Sequence, residues 1–168
     1  MTDPTRRGAT RRTIELERTY QADARDVWDL WTTKDGIESW WGPGGFAVTV
    51  HAIDLRPGGE VRYAMTATDP PQIAFMKQHG MPTTTEARLT YTEVVPHERL
   101  AWIHIADFVP GVEAYDVMHV LELFADGDSV RMVLTVEAMH DDVWTERAVM
   151  GWESELGKLA AIIAQRHA

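Results

Sequence analysis

The 168-residue chain contains no cysteine. It therefore has no disulfide framework, no thiolate nucleophile and no cysteine-built zinc site, and the absence fits any redox compartment. Long apolar runs are missing too. No hydrophobic stretch follows the arginine pairs Arg6-Arg7 and Arg11-Arg12, which argues against a secretory or twin-arginine export signal, and none could span a bilayer. The expectation is a cytoplasmic protein without membrane insertion. Positive charge is scarce after the first twelve residues. The formal charge is -10, but from Thr13 onward twelve Lys and Arg stand against twenty-five Asp and Glu, a net of -13. Such a surface repels phosphate backbones and anionic membranes, so nucleic acid is not an expected partner. Residues 1–12, with four arginines among Thr, Gly and Pro, read as a disordered basic tail.

Familiar catalytic templates are also absent: there is no G-x-S-x-G, H-E-x-x-H, P-loop or dinucleotide fingerprint, and no cofactor is expected. "GPGG" (Gly42 to Gly45) and "RPGG" (Arg56 to Gly59) are glycine-rich, but they lack the Lys-Ser/Thr pair and strand-to-helix setting that phosphate cradling needs.

What is present is enough apolar residue, 45% of the chain, to build one sizeable core. Thr13 to Tyr20 alternates with a period of two and predicts a strand. Asp23 can cap a short helix on which Val27, Trp28, Leu30 and Trp31 recur at helical spacing, and a second short helix follows from Asp35 to Trp40. Strands are expected over Phe46 to Leu55, Glu60 to Thr66, Ala87 to Val95, Arg99 to Ala106, Tyr115 to Phe124 and Ser129 to Ala138, separated by turn chemistry such as "RPGG" and "ADGD". From Asp141 or Asp142 onward, Ala148, Trp152, Leu156, Leu159 and Ile163 mark the apolar face of a long helix. Gly151 and Gly157 within it cost helix propensity, which predicts close backbone packing there. Residues 67–86 are long for a strand connection, yet Phe75, Met76 and Met81 are too apolar for an idle loop; a short helix lidding an opening is expected. The order predicts an α+β fold: a curved seven-stranded antiparallel sheet, two short helices and a long C-terminal helix enclosing a cavity, all in one domain over residues 13–168.

Four motifs carry a family resemblance: Val27-Trp28 with Trp31, the run Trp40-Trp41-Gly42-Pro43, "DLRPGG" from Asp54 to Gly59, and "EVVPHERL" from Glu93 to Leu100. "GWESELGKL" (Gly151 to Leu159) is similar to the closing helix of the same family. Residues 13 to 166 resemble the domain named for the activator of the ninety-kilodalton heat-shock protein ATPase, within the START-like (SRPBCC, birch-pollen-allergen fold) superfamily. The resemblance implies a helix-grip fold with an internal apolar cavity and no universal catalytic set. Fold does not fix function, and the longer 67–86 segment departs from the family pattern.

If the chain follows the family register, Trp102 and His104 on one strand share an inward face with Tyr115, His119 and Leu121 on the next. Met132 and Leu134, Tyr63 and Met65, and Tyr91 complete the expected cavity wall, with Trp41 at its mouth. His104 and His119 are the candidate proton-transfer residues, though two histidines without a third ligand make no metal site. Three functions remain open. The first is binding of a small apolar or amphipathic molecule, the second a cyclase- or aromatase-type enzyme using the two histidines, and the third a co-chaperone-like interaction module. Monomer and homodimer are both compatible, since strand residues such as Met118, Val120 and Phe124 leave the second sheet face apolar.

Overall fold

The computed structural model describes residues 11–42, 44–107 and 109–166. Alternation of outward acids with buried Leu16 and Tyr20 makes Thr13–Tyr20 the first strand, β1. Asp23 accepts the Asp26 amide at 2.8 Å and starts α1, Ala24–Thr32. Thr33 caps α2, Lys34–Trp40, through the Gly36 amide at 3.0 Å. The two helices meet so closely that a Cβ on Gly36 would stand 2.3 Å from the Asp29 carbonyl oxygen, so only glycine fits there. The chain continues as β2 (Phe46–Ile53), β3 (Glu60–Ala67), α3 (Pro70–Gln78), β4 (Thr84–Val95), β5 (Arg99–Ala106), β6 (Tyr115–Asp126), β7 (Ser129–Glu137) and α4 (Asp142–Arg166).

The seven strands form one antiparallel sheet in the order β1-β7-β6-β5-β4-β3-β2. The α+β helix-grip expectation is met. Buried side chains of the sheet face Val27, Trp28, Leu30, Trp31, Ile37 and Trp40 of the short helices, and Trp152, Leu156, Leu159 and Ile163 of α4, in a single core. Register places leucines across it in a row, Leu100 opposite Leu121, Leu121 opposite Leu134, and Leu134 opposite Leu16.

The sheet is interrupted on one side. β4 pairs with β3 from Thr84 onward, and β5 pairs with β6 as far as Ala106, but β4 and β5 pair with each other only between Leu89–His104 and Val95–Arg99. The first residues of β4 and the last of β5 therefore splay apart.

Three sequence expectations change. The tail, set at residues 1–12, lies outside the described residues up to residue 10, but Arg11 is anchored: it donates to the Ala138 and Asp116 carbonyls, pairs with Glu137 at 3.0 Å, and lies over the Tyr115 ring. Arg12 pairs with Asp142 at 3.3 Å. The 67–86 segment does form a short helix, α3, but only Met76 is buried; Phe75 and Met81 are 51% and 48% exposed. Close backbone packing at Gly151 and Gly157 is not found, for a Cβ at either would meet nothing within 4 Å.

Candidate functional site

The sheet supplies the floor. Trp102 of β5 pairs with His119 of β6, and their rings stack with centroids 5.1 Å apart and planes 2° off parallel. His119 Nδ1 lies 3.2 Å from the Val117 carbonyl oxygen. A carbonyl only accepts, so Nδ1 carries the proton and Nε2 keeps its lone pair. Burial drives the His119 pKa down to about 3, helped by neighbouring His104. Burial lowers His104 as well, against the opposing charge of Asp107. Both imidazoles are therefore neutral hydrogen-bonding groups at neutral pH.

The roof is α4. Ala148, Gly151, Trp152 and Glu155 are spaced three, one and three apart and share one helical face. Glu155 accepts the Gly42 amide at 2.9 Å, and Lys158 donates to the Gly42 carbonyl at 3.0 Å. Gly42 can serve both because its φ of +91° turns the chain sharply between α2 and β2. Burial pushes the Glu155 carboxyl up to about 7, while the Gly42 hydrogen bond and the Lys158 charge hold it back. Burial likewise raises the Tyr63 hydroxyl to about 12, with the Trp41 indole N–H donating to it.

Between floor and roof lies a cavity of about 210 Å³. Its aromatic lining comprises Trp41, Tyr63, Trp102, Trp152 and the two imidazoles; its apolar lining includes Met65, Leu89, Val117 and Met139; among the described residues Glu155 is its one acid, and neither Lys nor Arg lines it. A wider open recess of about 780 Å³ occupies the splay between β4 and β5 and shares Tyr63, Met65 and His104 with the cavity. On the other side, under α1 and α2, the space among Trp31, Ile37, Val61, Tyr91 and Leu100 has closed to about 10 Å³.

The residues expected at the cavity thus separate. Trp41, Tyr63, Met65, Trp102, His104 and His119 come together around it. Tyr91 stands in the closed compartment instead. Leu121, Met132 and Leu134, each 0% exposed, pack outside its lining, because the row containing Leu121 and Leu134 lies two residues along the strands from the Trp102–His119 row and fills its own space. The Tyr115 hydroxyl is taken by His140, 2.7 Å from Nδ1 and accepting the His140 amide at 3.1 Å, so it anchors the start of α4. Phe75, Met76 and Met81 do not line the cavity. Among the residues missed, Glu155 had a signal: it falls between Trp152 and Leu159 on the helix's apolar stripe, where an acid is out of place. Among the described residues, no three His, Asp or Glu gather in a metal-holding group, and no helix is long and apolar enough to cross a membrane.

The family model described as "Activator of Hsp90 ATPase homolog 1-like protein" matches residues 21–164. The chain therefore belongs to that family. A solved structure of a protein from Chromobacterium violaceum is similar with a TM-score of 0.73 at 23% identity, covering 90% of this chain and 96% of its own. A protein from Arthrobacter aurescens gives 0.72 at 19%, covering 91% and 86%. The AHSA1 protein from Silicibacter pomeroyi gives 0.68 at 22%, covering 93% and 100%. At these identities the likeness is one of fold. No curated protein matches the sequence.

Proposed function

We propose that this member of the Activator of Hsp90 ATPase homolog 1-like family binds a compact, largely apolar small molecule between its sheet and α4. The cavity of about 210 Å³, walled by aromatic rings and carrying a few polar groups, supports the reading most directly. Its volume sets a scale, because a dry cavity of roughly 150 Å³ takes up benzene. An occupant of the order of a substituted aromatic ring fills a space of this size. Binding energy comes from apolar area removed from water at about 25 cal/mol per Å², with His104, His119, Tyr63 and Glu155 fixing orientation.

The cyclase-type alternative draws on the same two histidines. Their neutrality suits hydrogen-bond acceptance better than proton shuttling near neutral pH, so binding ranks ahead. The protein-interaction alternative rests on the family's description alone.

Native mass spectrometry of gently purified protein, followed by a panel of small aromatic and amphipathic compounds, tests the proposal. One-to-one adducts are expected with the wild type and should disappear in Gly151→Leu, whose side chain would occupy the cavity. Adducts that persist unchanged in Gly151→Leu, or their failure to form with any compound, would sink it.

A further inference from the structure

Two features of the cavity remain unexplained by apolar binding alone: the concentration of aromatic rings and the acid set among them. Trp41, Tyr63, Trp102 and Trp152 present aromatic rings to one space, with Trp41 and Trp152 edge-to-face at 5.5 Å and Trp102 and Trp152 tilted at 6.4 Å. A ring face carries negative quadrupole density and attracts a cation, most strongly where water is excluded. Glu155, partly accessible, lines the same space.

We propose that the ligand is a compact organic cation, an ammonium carrying small apolar substituents, held against the rings of Trp41, Trp102 and Trp152 with Glu155 as its counter-ion. The inference rests on the binding function proposed above and names its ligand class. An anionic ligand meets the opposite arrangement, since among the described residues no Lys or Arg lines the cavity and its acid would repel an anion. A neutral ligand offers the Glu155 carboxylate no opposite charge. Nor does Lys158 supply one within the lining. That ammonium is engaged with the Gly42 carbonyl and lies outside the lining, and burial still holds the carboxyl above its ordinary range despite the Lys158 charge. The net charge of -13 from Thr13 onward adds a long-range attraction for cations.

The groups facing Glu155 determine how binding varies with pH. They are Lys158 on its own helix, the Gly42 amide from the α2–β2 turn, Tyr63 of β3, and His104 and His119 across the cavity on β5 and β6. Burial keeps Tyr63 and His119 neutral between pH 6 and 8 and lowers His104 from its ordinary value, while the Glu155 value of about 7 falls within that interval. A cation requires the carboxylate form, so its affinity rises with pH through about 7 and then levels.

The experiment titrates the full chain with three probes of similar shape, followed by the tryptophan indole NMR signals: benzyltrimethylammonium, its neutral isostere neopentylbenzene, and the anion phenylacetate. Benzyltrimethylammonium should bind roughly tenfold more tightly than either of the others. Its affinity should rise between pH 6 and 8, and Glu155→Gln should erase that rise and lower affinity roughly tenfold. The pH profile of the wild type needs no variant and stands even where Glu155→Gln alters folding. If neopentylbenzene or phenylacetate binds as well as the cation, or the affinity is flat with pH, the cation assignment is overturned and small-molecule binding survives. If none of the three moves an indole signal, the cation assignment is overturned, and the adduct panel decides small-molecule binding separately.

Discussion

The concave side of the sheet is divided into two compartments built from the same kinds of residue and filled to opposite degrees. Under α1 and α2, Trp31 and Ile37 close on Val61, Tyr91 and Leu100 and leave about 10 Å³. Under the first half of α4, Trp102, His104 and His119 meet Ala148 and Gly151 and leave about 210 Å³. The floor is aromatic in both. The roof differs, because the short helices bring down Trp31 and Ile37 where α4, beside Trp152 and Glu155, sets only the methyl group of Ala148 and the bare backbone of Gly151. Trp152 joins the halves, stacked with Trp31 at 6.0 Å and lining the open side. One half therefore supplies stability and the other retains space, and a cavity left by omitting side chains costs packing that the closed half must offset.

The largest expected difference between the compartments is the cost of truncation. Trp40 is 0% exposed and donates its indole N–H to the Leu30 carbonyl at 2.8 Å. Trp40→Ala should destabilise by about 3–5 kcal/mol, from lost burial, a new cavity and an orphaned carbonyl. Met65→Ala on the cavity wall should cost only about 1–2 kcal/mol, since one side of that thioether already faces open space. Urea unfolding measures both, and equal losses would erase the distinction between a filled and an unfilled half.

Next in size is the stability carried by Glu155. Its folded pKa of about 7 lies above its ordinary 4.5, so the folded state holds the proton more tightly, and stability falls as pH rises from 4.5 to about 7. His119 runs the other way. Its depressed value adds stability as pH rises from about 3 to 6.5, and the two slopes oppose each other between 4.5 and 6.5. Glu155→Gln isolates the first effect: it should stabilise the protein by about 2–3 kcal/mol at pH 8 and change little at pH 5, where the native carboxyl is already protonated. Unfolding curves at the two pH values check this, and a gain of the same size at both would contradict it.

The sheet and the start of the first helix were largely legible in the sequence, for physical reasons. Period-two alternation set β1 from Thr13 to Tyr20 and β5 from Arg99 to Ala106 at their observed bounds, and Asp23 is the cap its chemistry predicted. The cavity was legible in part. Alternation put Trp102 and His104 on one strand face, and the register implied by the family resemblance brought His119 of the next strand beside them, as observed. The same alternation could not separate Leu121 and Leu134 from them: on a curved sheet an inward residue can face either space or a leucine row, and that depends on what the roof places above it. Tyr115 was misplaced for a similar reason, since its partners His140 and Arg11 come from distant parts of the chain. Gly151 was misread because propensity records only that a helical glycine is costly, whereas the reason for tolerating it lies across the cavity.

That glycine provides the smallest expected effect and the most direct test of why the two halves differ. Gly151 and Gly157 lie on the same helix, and a Cβ at either would meet nothing within 4 Å. Each Gly→Ala change should therefore stabilise α4 by about 1 kcal/mol through helix propensity alone. Only Gly151 lines the cavity. Gly151→Ala should accordingly weaken benzyltrimethylammonium binding by reducing the space, while Gly157→Ala leaves it unchanged. Thermal melts and NMR titrations of the pair read the two quantities separately. A parallel gain in stability with divergent binding would mean that the glycine in the roof is kept for the space it leaves, at the expense of the helix that carries it. Binding equally weakened in both would mean that helix stiffness, and not volume, sets what the open half can hold.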